Sequence, residues 1–149
     1  MPDLGPDDIF DLEATALPVA FDIIWCHFPY RQQGLEPGPV ARPCLVRRVY
    51  RRDTLIKGVR HAVGYVVVIY GTKQIDKFNP PRGLHVDDAE EKRACGLSVD
   101  TVFDLSDHLT LPWSPRYFSN AKGRPTISGH FTDAMKERLK AQYKQFTGA

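Results

Sequence analysis

A chain of 149 residues, 42% hydrophobic and 26% charged, is one domain's worth of ordinary folded sequence, which excludes a disordered tail protein and most two-domain cofactor enzymes. Twelve prolines and eleven glycines, most of them between short apolar runs, argue against a long-helix bundle and for short strands joined by turns. The formal charge of +2 hides an asymmetry that suggests a polyanionic partner: residues 1–22 hold six acids (Asp3, Asp7, Asp8, Asp11, Glu13, Asp22) and no Lys or Arg, whereas residues 23–60 hold eight bases (Arg31, Arg42, Arg47, Arg48, Arg51, Arg52, Lys57, Arg60) against Glu36 and Asp53.

Residues 1–18 read as an acidic arm outside the core, with one short helical turn after Pro6. The arm lacks the basic and apolar regions of a signal peptide, so export is not expected. Residues 19–149 are expected to form the single folded domain. Phe21–Phe28, dense in aromatic and β-branched residues and stopped by Pro29, reads as the first strand. Residues 30–41 carry two glycines and two prolines and form a loop. Pro43–Tyr50 is the second strand, and Val63–Tyr70, nearly continuous in apolar residues, is a third and central one.

Residues 71–83 form a polar loop, Leu84–Val86 a short strand, and Ala89–Ala94 no more than one helical turn. Thr101–Leu105 is a further strand, followed by Leu109–Trp113 as an irregular edge among Pro112 and Pro115. The last element is a helix. Thr132 caps it, Asp133 lies in its first turn, and Met135, Leu139, Gln142 or Tyr143, and Phe146 recur at helical spacing. Its other face is cationic, with Lys136, Arg138, Lys140 and Lys144. Five or six short strands and one terminal helix make a mainly β protein, a small twisted barrel or a folded-over sheet.

Cys26, Cys44 and Cys95 form no CxxC pair and are read as small buried hydrophobes, at home in a reducing cytoplasm. The five histidines fall at no ligand spacing, so no metal is expected, and without a Walker loop or GxGxxG no nucleotide cofactor is expected either. The longest strongly apolar run, Tyr65–Tyr70, is too short to span a bilayer. What remains is Arg42-Pro43 at a strand start behind a Gly/Pro loop, together with Gly71-Thr72-Lys73 leaving the most apolar strand. If the two strand ends meet at one rim they form an anion site, since Arg is a planar phosphate clamp and Thr72 offers a hydroxyl beside a cation. Otherwise they are two solvated turns.

Three blocks carry a family resemblance. Phe21-Asp22-Ile23-Ile24-Trp25, Gly34-Leu35-Glu36-Pro37-Gly38-Pro39 and Arg42-Pro43-Cys44-Leu45-Val46 resemble, in order and spacing, the opening of the PemK/MazF-like toxins. Val66–Thr72, Gly96-Leu97 before Asp100–Phe103, and Ile127–Thr132 before the helix are similar to later segments of that family. The resemblance spans residues 19–146. Phe21 stands where the family has Gly, Lys73 follows Thr72 in place of a second hydroxyl, and the stretch from Thr72 to Gly96 is longer and more polar.

The resemblance implies an SH3-like β-barrel that dimerises, cuts single-stranded RNA without metal and is neutralised by an antitoxin peptide. It assigns Arg42 to the scissile phosphate, Thr72 to the reacting ribose, and Glu36 and Gly38 to a loop that closes over RNA. Arg31 and Lys73 would add charge beside them. Trp25, Tyr30 and Phe78 are candidates to stack bases, and His27, His61 and Glu36 are the acids or bases available by type. A diverged, non-catalytic barrel that binds nucleic acid or a peptide is the alternative. The acidic arm has two readings: a mere extension, or a segment that masks the Arg42 face as an antitoxin would.

Overall fold

The computed structural model describes residues 4–29 and 36–148, and in it six antiparallel strands form one sheet in the order β4-β5-β3-β2-β1-β6. The strands are β1 (Asp22–Cys26), β2 (Arg42–Ile56), β3 (Val59–Thr72), β4 (Gly83–Val86), β5 (Thr101–Pro112) and β6 (Ile127–His130). Three helices accompany them, α1 (Ala89–Cys95), α2 (Pro115–Phe118) and α3 (Asp133–Thr147), with the expected short turn at Pro6–Asp8. None is long and apolar enough to cross a membrane. The expected loop over residues 30–41 lies partly outside the described residues.

Alternation along the strands divides the core in two. Ile23, Leu45 and Ile69 pack on one side with Cys95 of α1 and with Met135 and Leu139 of α3. Ile24, Cys44, Val46 and Val68 pack on the other with Trp113 and with Tyr117 and Phe118 of α2. β3 is therefore covered on both faces, which is why its sequence is almost unbroken apolar. All three cysteines are buried and unbridged, and burial pushes the Cys95 thiol up to about 11.

β2 and β3 run past the expected limits at Tyr50 and Val63 into a long hairpin. It closes at Lys57-Gly58, both at positive φ (51° and 82°), the two-residue turn whose twist suits paired strands. β5 is one strand where the sequence predicts a strand and a separate edge. Thr101–Asp104 pair with β4 and His108–Pro112 with β3, while residues 104–107 bulge out of the β3 ladder.

Asp104 ties that bulge. Its carboxylate accepts from the Ser106 N–H (3.0 Å) and hydroxyl (2.6 Å) and from Arg82 Nε (3.0 Å) and Nη2 (3.1 Å). Burial alone would raise the Asp104 carboxyl, but the hydrogen bonds from Arg82 and Ser106 outweigh it and hold the group below its ordinary value. A carboxyl depressed on folding stabilises the fold above its unfolded pKa of about 4, and that contribution is lost as pH falls through the folded value. Asp104→Asn is expected to be less stable at neutral pH and to show a shallower loss in urea denaturation as the pH is taken down to about 2. The same acid slope in both proteins would show that another group governs it.

α1 has seven residues, longer than the single turn expected, because Asp88 accepts from the Glu90 (3.1 Å) and Glu91 (3.2 Å) N–H groups at its start. α3 is capped as expected, with Thr132 Oγ1 accepting from the Met135 N–H (3.2 Å), but Phe146 is exposed and only Met135, Leu139 and Tyr143 of the expected stripe face the core. Neither α2 nor β6 is expected from the sequence: Ile-Ser-Gly-His lacks an alternating pattern and becomes a strand by pairing with β1.

The arm is packed, contrary to the reading that leaves it outside the core. Phe10, Leu12 and Leu17 lie against the cluster around Trp113. The Phe10 N–H donates to the Trp113 carbonyl (2.9 Å), and the Trp113 indole N–H donates to the Thr15 carbonyl (3.0 Å).

Candidate functional site

Arg42 opens β2 and Thr72 closes β3, and the ladder between them ends at Cys44 opposite Tyr70. Two residues beyond that rung, the antiparallel register brings Arg42 and Thr72 to the same end of the sheet. Both line one open cavity of about 410 Å³. Trp25 of β1, opposite Pro43 in register, forms a wall. Lys73, Gln74 and Lys77 enter from the loop after β3, and Leu97, Ser98 and Val99 from the loop between α1 and β5.

That second loop is built locally. Gly96 leaves α1 at φ 67°, and a Cβ there would collide with the Ser128 carbonyl. The Leu97 N–H returns to the Lys92 carbonyl (2.8 Å), and Lys92 Nζ reaches Asp100 Oδ1 (2.7 Å), so the segment is held at both ends. Buried Leu97 anchors it, leaving Ser98 and half-exposed Val99 at the rim. Sequence reasoning missed Ser98, Val99, Gln74 and Lys77. Gln74 and Lys77 follow Lys73 closely in the chain, but nothing in the sequence brings residues 97–99 beside Arg42.

Thr72 is 5% exposed, and its Oγ1 accepts from the Gln74 N–H (3.2 Å), so the hydroxyl's own hydrogen is left to donate. The Arg42 guanidinium lies 6.0 Å from the Tyr70 ring centroid and Lys77 Nζ 5.9 Å from the same ring. Burial raises the Tyr70 phenol, with Asp104 and Asp107 adding to the effect, and so keeps it protonated. The cavity lining carries three cations, Arg42, Lys73 and Lys77, beside the hydroxyls of Thr72, Ser98 and Thr101, and among the described residues no acid and no histidine. Such a surface can hold an anion.

The other expected residues are not gathered here. Glu36 is exposed and does not line the cavity; its charge falls on Tyr117, adding to the effect of burial in raising that phenol. Gly38 is buried, its carbonyl 3.0 Å from His27 Nδ1 and its N–H donating to the His27 carbonyl (3.2 Å), a brace that also engages the His27 ring. His61 lines a different cavity, under the arm. Phe78 is only 6% exposed and so offers no face to a base. Arg31 and Tyr30 lie outside the described residues. The arm does not cover the site: its Asp11 and Glu13 share a cavity with Arg51 and His61, and none of its described residues lines the Arg42 cavity. Among the described residues no cluster of metal-ligating side chains occurs.

No protein-family model matches the sequence, and no curated protein matches it with significance.

Proposed function

We propose that the protein is an SH3-like barrel that cuts single-stranded RNA in the manner of the PemK/MazF-like toxins it resembles. The observation that carries this reading is the meeting of Arg42 and Thr72 in one cavity lined, among the described residues, by three cations and no carboxylate. RNA brings its own nucleophile. Attack of a ribose 2′-OH on the adjacent phosphorus forms a cyclic phosphate and expels the 5′-oxygen of the next nucleotide, which takes up a proton. Arg42 has the planar donor set to hold the phosphoryl oxygens as charge builds on them, and it acts as a stabiliser because a guanidinium with a pKa above ~12 is a poor proton donor. The Thr72 O–H is suited to donate to the ribose, and Trp25 supplies an aromatic wall for a base.

The same lining favours a second reading. With no histidine or carboxylate in its described wall, the cavity offers no obvious proton carrier, as expected of a barrel that binds a nucleic acid or a peptide without cutting it. Purified protein incubated with a long unstructured RNA in EDTA separates the two. Discrete fragments with cyclic phosphate and 5′-hydroxyl ends support the nuclease; intact RNA with salt-sensitive binding supports the module. The proposal includes a homodimer acting in the cytoplasm and restrained by an antitoxin peptide. Light scattering that gives one chain's mass at micromolar concentration would remove the dimer from it.

A further inference from the structure

A second basic surface lies farther along β2, and its construction is unusual. β2 bulges between Val46 and Arg48, so that Arg47 is an extra residue and Arg48 lies opposite Val67, not Val66. The slip switches the strand's alternation: Val46 packs with the Trp113 cluster, but Arg48, Tyr50 and Arg52 follow the face of Val67, Tyr65 and Val63. Three arginines and a tyrosine thus come to one side, where Arg47 meets Tyr143 of α3.

Aromatic rings, not carboxylates, hold these guanidinia. Arg47 lies 5.0 Å from the Tyr143 ring centroid, and Arg48 and Arg52 lie 5.3 Å and 5.5 Å from that of Tyr50, which itself stacks on Tyr65 at 5.3 Å. A cation over a ring face keeps its N–H donors. None of the three side chains makes an ion pair or hydrogen bond with a described residue, and Arg47 Nη1 is buried with no hydrogen-bond partner. Arg47 also lines a cavity of about 440 Å³ with Phe21, Tyr143, Lys140 and Lys144, and no acid is among its described lining residues. Lys140 of that lining pairs with Glu137, 3.4 Å away, both side chains exposed on α3. Burial lowers the Arg47 guanidinium from its ordinary value.

We propose that Arg47, Arg48, Tyr50 and Arg52, with Lys140, Tyr143 and Lys144, form a second contact for single-stranded RNA, separate from the Arg42 cavity. Cations interleaved with aromatic rings match a single strand, whose phosphates take the guanidinium donors while its bases stack on rings and guanidinium planes. An acidic peptide would be served by charge alone and would leave the aromatic faces without a role. Arg42 and the stretch Arg47–Arg52 belong to one strand, roughly 16–33 Å apart along it, so only an RNA long enough to cover that span engages both surfaces in full. This inference names a substrate length and rests on the RNA reading of the Arg42 site.

The test compares wild type with the Arg47→Gln/Arg48→Gln/Arg52→Gln variant. Binding of a tetranucleotide and of a long oligouridine, both carrying 2′-O-methyl groups so that neither supplies a nucleophile, is read by fluorescence anisotropy across a salt series. Expected in the variant are an affinity for the long strand lower by about tenfold or more and a salt slope shallower by about 2, while tetranucleotide binding is unchanged. Equal affinity and slope for the long strand would overturn the proposal, as would tighter binding of polyglutamate than of oligouridine by wild type. If the triple variant fails to fold, Arg48→Gln/Arg52→Gln, both exposed on the hairpin, carries the same comparison. Cleavage of unmodified RNA keeps the two readings apart. A wild type that binds through the arginines but never cuts removes the nuclease and keeps the second contact, and one that cuts with no length-dependent loss in the variant does the reverse.

Discussion

Under the proposed nuclease mechanism, Arg42→Ala is expected to slow RNA cleavage by about 10²–10³ while leaving the fold intact. The side chain is half-buried at the first residue of β2, outside both core clusters, so its loss opens no apolar cavity. What the proposed mechanism loses is a pair of donors where the phosphoryl group would gather charge. Arg42→Lys restores the charge without the planar fork, and recovery of only part of the rate would show that geometry counts beside charge. Because Lys73 and Lys77 remain in the lining, binding of uncleavable RNA should fall far less than the rate. A variant that binds more weakly but, once saturated, cuts as fast as wild type would place Arg42 in ground-state binding and remove it from the transition state.

That pair was legible in the sequence for a physical reason. Arg42 begins one apolar run and Thr72 ends the next, and an antiparallel hairpin must bring such ends together whatever the length of its far turn. Residues 97–99 were not legible, since their place beside Arg42 depends on α1 packing its Cys95 into the core and on Gly96 meeting Ser128 of a different strand. Glu36 and Gly38, matched to the family's loop, do not line the cavity: Gly38 braces His27 and Glu36 is exposed.

The hairpin beyond Tyr50 was hidden by its charge. Arg51, Arg52 and Asp53 interrupt the apolar pattern, but the pairing with β3 continues beside partly buried Tyr50 and Thr54 and buried Tyr65, the Thr54 hydroxyl lying 2.9 Å from that of Tyr65. β5 was split in two because Ser106-Asp107-His108 breaks the apolar pattern, and only the Asp104 carboxylate explains how the chain crosses that break without leaving the sheet. The arm illustrates a general limit of composition. Six acids in twenty-two residues suggest solvent, but Phe10, Leu12 and Leu17 suffice to cover one buried indole.

Deleting residues 1–18 is accordingly expected to destabilise the protein by roughly 2–5 kcal/mol and to leave the Arg42 cavity unchanged. The arm covers Trp113, which is fully buried, with Phe10 at a ring-centroid separation of 5.0 Å, and it sets Leu12 and Leu17 over Gly64, where any larger residue would push them off. Truncation bares this indole and the apolar surface around it. Three partly buried side chains account for most of the loss; the indole N–H, freed from Thr15, finds water and adds little. Against a typical total of 5–15 kcal/mol such a loss is large but survivable, so the truncated chain should still fold at low temperature. Urea denaturation at neutral pH measures the difference, and cleavage per folded molecule, assayed well below the truncated protein's midpoint, should match the full-length chain at every salt concentration. Equal stability together with stronger RNA binding at low salt would mean that the arm leaves Trp113 in solution and masks the basic surface after all.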